Sequence, residues 1–246
     1  MEIDPQLWTS AVIVAAGQST RMARADDDAR ARKPFLVLEG RTVLEHACAA
    51  FDAVEAVREI VVVGHPEDLE RIARMAAVSS SMRKVKHFVA GGELRVDSVR
   101  AGVAATSSHA ALLAIHDAAR PLVRPETIRS ALITAAERGA ALVAIPVADT
   151  IKTSPDGTCA ERTLHRSVLW SAQTPQVFRA RTFRELLSRA QVEGLRPTDD
   201  SAIYETYVGP VPLVAGDAHN LKITTPEDLV IAAAILHARA AGSVRT

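Results

Sequence analysis

The chain is poor in cysteine. Only Cys48 and Cys159 are present, with no paired spacing, which excludes a disulfide framework and a cysteine-based zinc site and makes a reducing compartment the default. Charge of either sign is not in excess, since 29 Lys and Arg balance 29 Asp and Glu. That balance removes the drive for binding nucleic acid or an anionic membrane, so any phosphate site has to come from locally clustered cations. Long apolar runs are missing too. The most apolar late stretch, 229–236, falls far short of the ~18–20 residues a span needs and runs into His237 and Arg239, as a core-facing helix does. The N-terminal Met-Glu-Ile-Asp-Pro-Gln has acids and no apolar core, unlike a signal peptide, so a cytoplasmic location is expected. No Gly-Lys-Ser/Thr follows the first glycine, and the dinucleotide fingerprint G-x-G-x-x-G is absent.

What remains is an α/β pattern. At 246 residues the chain can bury a large core as one domain, 1–246, with no room for a second full one. Apolar runs of strand length stand at 11–15, 60–63, 85–89, 111–115 and 140–147. Helix-period segments lie near 42–54, 66–77, 95–105, 125–138 and 180–191. Such alternation predicts a Rossmann-like sandwich with a mostly parallel sheet and βαβ crossovers, whose ligands sit beyond the carboxyl ends of the strands. The residues just after each strand are therefore the candidates.

After the first strand, Ala15, Ala16 and Gly17 have almost no side chain, so a ligand can approach the backbone and its N–H groups can face phosphate oxygens. Arg21 adds a permanent positive charge. The segment 23–32 is charged and apolar-poor and reads as a surface loop; it ends at Lys33-Pro34, where the proline is expected to hold Lys33 in extended backbone, able to swing over a phosphate. The third strand runs into Gly91-Gly92-Glu93, with Arg95 and Ser98 three apart on one helical face. This suits a flat base lying against the backbone with Glu93 and Ser98 at its edge, although a glycine turn with an acidic helix start gives the same letters. The fourth ends in His116-Asp117-Ala-Ala-Arg120. Asp117 there can hold a metal ion or a substrate hydroxyl, or cap a turn; Arg120 can meet phosphate, and His116 reads as structural.

Beyond 147 the βα rhythm stops. Residues 150–177 hold a Pro-Asp-Gly turn between β-prone stretches, with Leu164, Val168, Leu169 and Trp170, and predict a hairpin arm that lies on a partner subunit and carries Thr150, Lys152 and Arg166. Further on, Thr-Asp-Asp-Ser at 198–201 caps a short helix. A short strand bearing Lys222 then precedes a helix capped by Thr225 with Pro226 at its first position, and a lysine on so apolar a stretch asks for an anion.

In order, the stretches Ala-Ala-Gly…Arg-Met at 15–22, Lys33, Gly-Gly-x-x-Arg-x-x-Ser-Val at 91–99, His-Asp-Ala-Ala-Arg-Pro at 116–121, Asp-Thr-Ile-Lys at 149–152, Thr-Pro-Gln at 174–176 and Leu-Lys-Ile-Thr at 221–224 resemble the methylerythritol-phosphate cytidylyltransferase family of the non-mevalonate isoprenoid pathway. The resemblance covers nearly the whole chain and implies a reaction in which the phosphate of 2-C-methylerythritol 4-phosphate attacks the α-phosphorus of CTP and releases pyrophosphate. It assigns Arg21 and Lys33 to the transition state, and Arg166 and Lys222 to the acceptor with Arg120, Thr150 and Thr174. Ala15, Ala16, Gly17, Gly92, Glu93, Ser98 and Ala118 go to the nucleotide, and Asp117 to the acceptor or the magnesium shell. It also implies Mg2+ with CTP, and a homodimer in which the 150–177 arm brings Thr150 and Arg166 into the neighbour's site. Two features depart from the family pattern: a longer 21–33 segment carrying Asp26-Asp27-Asp28, and Glu93 where many members have Asp. Competing readings are a ribitol 5-phosphate cytidylyltransferase, a nicotinamide-dependent oxidoreductase without its fingerprint, and a non-catalytic nucleotide-binding protein.

Overall fold

A computed structural model describes residues 8–17 and 32–242 of the chain. Elements follow in the order β1 (Thr9–Val14), β2 (Val37–Leu38), β3 (Arg41–Thr42), α1 (Val43–Asp52), β4 (Val57–Gly64), α2 (Leu69–Val78), β5 (Val85–Ala90), α3 (Arg95–Ala104) and β6 (Leu112–Asp117). The second half holds α4 (Pro125–Arg138), β7 (Ala140–Pro146), β8 (Lys152–Thr153), β9 (Arg162–Thr163), β10 (Trp170–Arg179), α5 (Ala180–Val192), α6 (Ser201–Tyr207), β11 (Leu213–Ala215) and α7 (Pro226–Ala240). All five predicted strands and all five predicted helices form, because each is an uninterrupted apolar run or a run with one buried face. Local signals set their ends: Thr42 and Glu45 cap α1 reciprocally, and Gly139 closes α4 in the left-handed conformation at φ 93°.

The main sheet runs β11-β7-β10-β6-β1-β4-β5. Neighbours are parallel except around β10, which lies antiparallel to both β6 and β7. Helices cover both faces: Phe51 of α1, Ile72 of α2 and Ile128 of α4 share one core with Ile13, and Val99 of α3, Phe183 of α5 and Ile203 of α6 share the other with Val12. Burial on both faces is why β1, β4 and β6 read as continuous apolar runs rather than as alternation. Among the described residues no helix is long and apolar enough to cross a membrane.

Three elements differ from the sequence expectation. Residues 170–177, read as part of the arm, run instead through the middle of the sheet as β10, and the hairpin proper is limited to the short pair β8–β9. Within β10 the register against β7 breaks between Ala172 and Gln176, so Pro175 sits where the ladder is interrupted. The edge strand β11, only three residues long, left no readable period. Lys222 is not on a strand: 221–224 is irregular and tied to the end of β6 by the Ile223 N–H donating to the Ala119 carbonyl at 2.8 Å.

The contact of α3 with the sheet rests on one small residue. A Cβ at Gly102 would lie 2.4 Å from Val12 Cγ1 and 2.7 Å from Val63 Cγ2, both in the fully buried interior. Overpacking of this kind costs ~1–3 kcal/mol. Gly102→Ala is therefore expected to lower the unfolding free energy by that amount, read as a lower urea midpoint with an unchanged slope.

Candidate active site

A cavity of about 610 Å³ opens beyond the carboxyl ends of β1, β4, β5 and β6. This is where the strand order reverses, with β1 followed on one side by β4 and β5 and on the other by β6. Its floor is backbone. Ala15, Ala16 and Gly17 leave β1, and Gly91 and Gly92 leave β5 alongside them. A Cβ at Gly91 would stand 2.3 Å from the Ala16 methyl and 2.7 Å from Ser98 Oγ, so the two turns approach too closely for any side chain there. The Ala15 N–H is not free for a ligand, contrary to expectation: it donates to the Val63 carbonyl at 2.7 Å and continues the sheet.

Ser98 is buried, and its hydroxyl accepts from the Gly92 N–H at 3.2 Å, so it shapes the glycine turn as well as facing the cavity. Helix α3 starts at Arg95 rather than at Glu93, because the Asp97 carboxylate accepts from the Leu94 N–H at 3.2 Å. Glu93 is thereby left exposed at the rim.

Lys33 reaches the cavity from the other side. It opens a 3-10 turn over Lys33–Phe35, and the extended residue is Arg32, one position earlier than expected. The turn is pinned on both flanks: Arg32 pairs with Glu67 at 2.6 Å and Asp68 at 2.7 Å, while the Arg71 guanidinium lies 3.8 Å from the buried Phe35 ring. Arg21 and most of the 23–32 loop lie outside the described residues.

At the end of β6, Asp117 meets two cations. Lys222 Nζ donates to Oδ2 at 2.7 Å and Arg95 Nε donates to Oδ1 at 3.1 Å. Burial would raise this carboxyl, but Arg95 and Lys222 outweigh it and hold it well below the usual carboxylate range. Its own N–H donates to Thr174 Oγ1 at 3.1 Å. That hydroxyl is 2.9 Å from His116 Nδ1, and His116 Nε2 is 3.1 Å from the Arg120 carbonyl. The Arg120 carbonyl can only accept, which puts the proton of the neutral imidazole on Nε2 and leaves Nδ1 to accept from the Thr174 hydroxyl. Burial pushes His116 down to about 4, which keeps the ring neutral. The cavity wall thus combines a small-residue floor with Lys33, Lys222 and Arg95, in a sheet whose switch point suits a nucleotide phosphate.

The sequence matches the family model described as 2-C-methyl-D-erythritol 4-phosphate cytidylyltransferase over residues 9–238. The chain belongs to that family. A cytidylyltransferase of this name from Caldanaerobacter subterraneus subsp. tengcongensis is 42% identical over 91% of this chain and 96% of its own length. Another from Pelotomaculum thermopropionicum is 39% identical over 94% of each. Among solved structures, the 2-C-methyl-D-erythritol 4-phosphate cytidylyltransferase of Thermus thermophilus superposes with a TM-score of 0.74 at 32% identity, covering 94% of this chain and 99% of that one. The 4-diphosphocytidyl-2C-methyl-D-erythritol synthase of Anaerococcus prevotii gives 0.80 at 26% identity over 94% and 99%.

Of the residues that the resemblance assigned to this family's substrates, Ala15, Ala16, Gly17, Lys33, Gly92, Glu93, Ser98, Asp117, Ala118 and Lys222 line one cavity. Others do not. Thr174 is buried, and its hydroxyl accepts from the Asp117 N–H and lies against His116 Nδ1, so it holds the backbone at the end of β6. Arg120 points its guanidinium at the Asn220 carbonyl, 2.8 Å away, and the Ala172 carbonyl at 3.3 Å, which fastens the 221–224 segment and the base of β10. Asp117 has each carboxylate oxygen met by a cation, Arg95 at Oδ1 and Lys222 at Oδ2. Thr150 and Arg166 are exposed on the arm side of the molecule, with Arg166 donating to the Ala148 carbonyl at 2.8 Å.

Four contributors were missed. His65 and Pro66, after β4, complete the wall, and Gly91 sets the closest approach, though only its neighbour had been assigned a role. Asp200 looks like a cap in Thr-Asp-Asp-Ser. It is Asp199 that caps α6, accepting from the Ala202 N–H at 3.0 Å, while Asp200 accepts both terminal nitrogens of Arg95 at 2.9 and 2.8 Å. No periodicity marks such a pairing.

Proposed function

We propose that this chain transfers the cytidylyl group of CTP to 2-C-methyl-D-erythritol 4-phosphate in isoprenoid precursor synthesis. An oxygen of the acceptor phosphate forms a bond to the α-phosphorus, the bond from that phosphorus to the bridging oxygen breaks, and pyrophosphate leaves with that oxygen. The observation that carries the reading is the convergence of Lys33 and Lys222 on one cavity floored by the 15–17 and 91–92 backbone, in a member of this family. Such transfers ask for alignment and neutralisation of developing charge rather than for a covalent nucleophile. Lys33 takes the triphosphate side, a role the family resemblance also gives Arg21, and Lys222 takes the acceptor phosphate. Magnesium enters with the triphosphate, its shell filled by phosphate oxygens and water, a mode this ion favours over an all-protein cage.

The active form we propose is a homodimer in which the β8–β9 arm reaches the neighbouring subunit with Thr150 and Arg166. Two observations support it: the arm is too short a hairpin to be stable alone, and beside it, between β9 and the start of β10, Val168 and Trp170 are exposed, at 73% and 46% accessible. A cytoplasmic location accords with two unpaired cysteines, Cys48 buried and Cys159 exposed.

The test is pyrophosphate release from CTP and magnesium, run with 2-C-methyl-D-erythritol 4-phosphate, with ribitol 5-phosphate and with no acceptor. Release with the first acceptor alone is expected. Release with ribitol phosphate alone would move the chain to the sister activity, and silence with both would leave a nucleotide-binding protein.

A further inference from the structure

We infer that Asp200 and Arg95 are positioning residues for the transfer: they hold Asp117 and, through it, fix the Lys222 ammonium where the acceptor phosphate docks. The inference rests on the role given to Lys222 above.

Four side chains from four separate segments form one line of alternating charge. Asp200, ahead of α6, accepts two bonds from the Arg95 fork; Arg95 Nε continues to Asp117 Oδ1, and Asp117 Oδ2 ends the line on Lys222 Nζ at 2.7 Å. Side-chain exposure is 1% at Asp200, 29% at Arg95, 12% at Asp117 and 42% at Lys222. The Asp200 end is therefore in the interior and the Lys222 end faces the cavity. Formal charges along the line sum to zero, so the protein can keep two acids beside a site for anions without repelling them.

Helix capping does not explain Asp200, because Asp199 performs it. Stability alone is also a weak reason for a buried acid with a bidentate arginine, since apolar residues of similar volume serve the fold as well or better. What the pair supplies is rigidity. A lysine has a long flexible stem, and its ammonium is placed only as firmly as its partner is. Arg95 and the Thr174 contact fix Asp117, and Asp200 fixes Arg95. Without Asp200, the guanidinium loses two of its three acceptors, turns wholly onto Asp117 and draws the carboxylate from Lys222. The acceptor phosphate then docks loosely and off the in-line direction, whereas CTP, held by the 15–17 and 91–93 backbone, is unaffected.

Steady-state kinetics with each substrate varied in turn, on Asp200→Asn, Arg95→Lys and the double variant Arg95→Met/Asp200→Leu, tests this. Arg95→Lys retains the charge balance, and the double variant removes both partners together, so a folded protein remains to be assayed even if Asp200→Asn fails to fold. For Asp200→Asn the KM for CTP is expected to stay within about 2-fold and kcat/KM for the acceptor to fall at least ~10-fold, with similar acceptor losses in the other two, because a small misplacement of a charged group is enough for such losses. A purely structural role predicts losses that track the folded fraction, equal for both substrates, and full recovery in the stable double variant. Wild-type acceptor kcat/KM in any folded variant of the three overturns the proposal. Lys222→Ala, assayed alongside, separates the two levels: if it alone keeps wild-type acceptor kinetics, the role of Lys222 itself fails, and if it is defective while Asp200→Asn is not, only the positioning role fails.

Discussion

Lys33→Ala and Lys222→Ala are expected to fold and to turn over roughly 10²–10³ more slowly, about the loss seen when one preorganised charge-stabilising donor is removed. Neither lysine belongs to a core cluster, and both look into the cavity. The Lys222–Asp117 contact involves a partly exposed ammonium, and such pairs contribute only ~0–1 kcal/mol to stability. Thermal and urea midpoints should therefore stay near wild type while pyrophosphate release collapses. The two losses differ in kind. Lys33→Ala removes a positive charge from the triphosphate side. Lys222→Ala does that at the acceptor side and also strips Asp117 of one of its two cations, leaving a carboxylate that repels the incoming phosphate. Adding Asp117→Asn to Lys222→Ala should thus recover part of the acceptor affinity, whereas adding it to Lys33→Ala should not. Near wild-type rates in either single variant would remove that lysine from the mechanism.

How much of this was legible in the residues follows from the range of each interaction. The strands β1, β4, β5, β6 and β7 carry their signal locally, as apolar runs flanked by turn residues, and so does the cap at Thr225. The cavity was legible for the same reason, since its floor is small residues placed directly after strands. β10 was not. It lies at the centre of the sheet yet carries Gln173, Thr174 and Gln176 inward, all buried, because that strand supplies polar anchors to β6, to the end of β11 and to α6. A central strand that binds its surroundings through polar side chains has the composition of a turn. Arg95 with Asp200, and Lys222 with Asp117, are each separated by 105 residues, and nothing in either local stretch says that they meet. For Thr174 and Arg120 the residue types fitted substrate binding; the structure engages the hydroxyl with Asp117 and His116 and turns the guanidinium to backbone carbonyls.

Mixing two inactive proteins should produce an active one. If the β8–β9 arm of one subunit completes the cavity of the other, Arg166→Ala damages only the arm that a chain donates and Lys33→Ala only the cavity that it keeps. In a heterodimer, the cavity of the Arg166→Ala chain is intact and receives the intact arm of the Lys33→Ala chain. The other cavity carries both lesions. One site in two is then whole, and with random exchange of subunits half the dimers are mixed, so activity should rise from near zero to about a quarter of the wild-type value in a two-fold symmetric dimer. An arm that folds back onto its own cavity gives a different result: every site keeps one lesion, and no mixture recovers. Within one chain Arg166 is bound to the Ala148 carbonyl and is absent from the cavity wall, so a role in catalysis for this residue depends on the donated geometry. The measurement is pyrophosphate release after the two variants are exchanged under mild denaturant and returned to buffer, with differently tagged subunits to count heterodimers. Recovery in proportion to the heterodimer fraction supports the shared site, and none at a verified fraction near one half rules it out, leaving the exposed Val168 and Trp170 to be covered some other way.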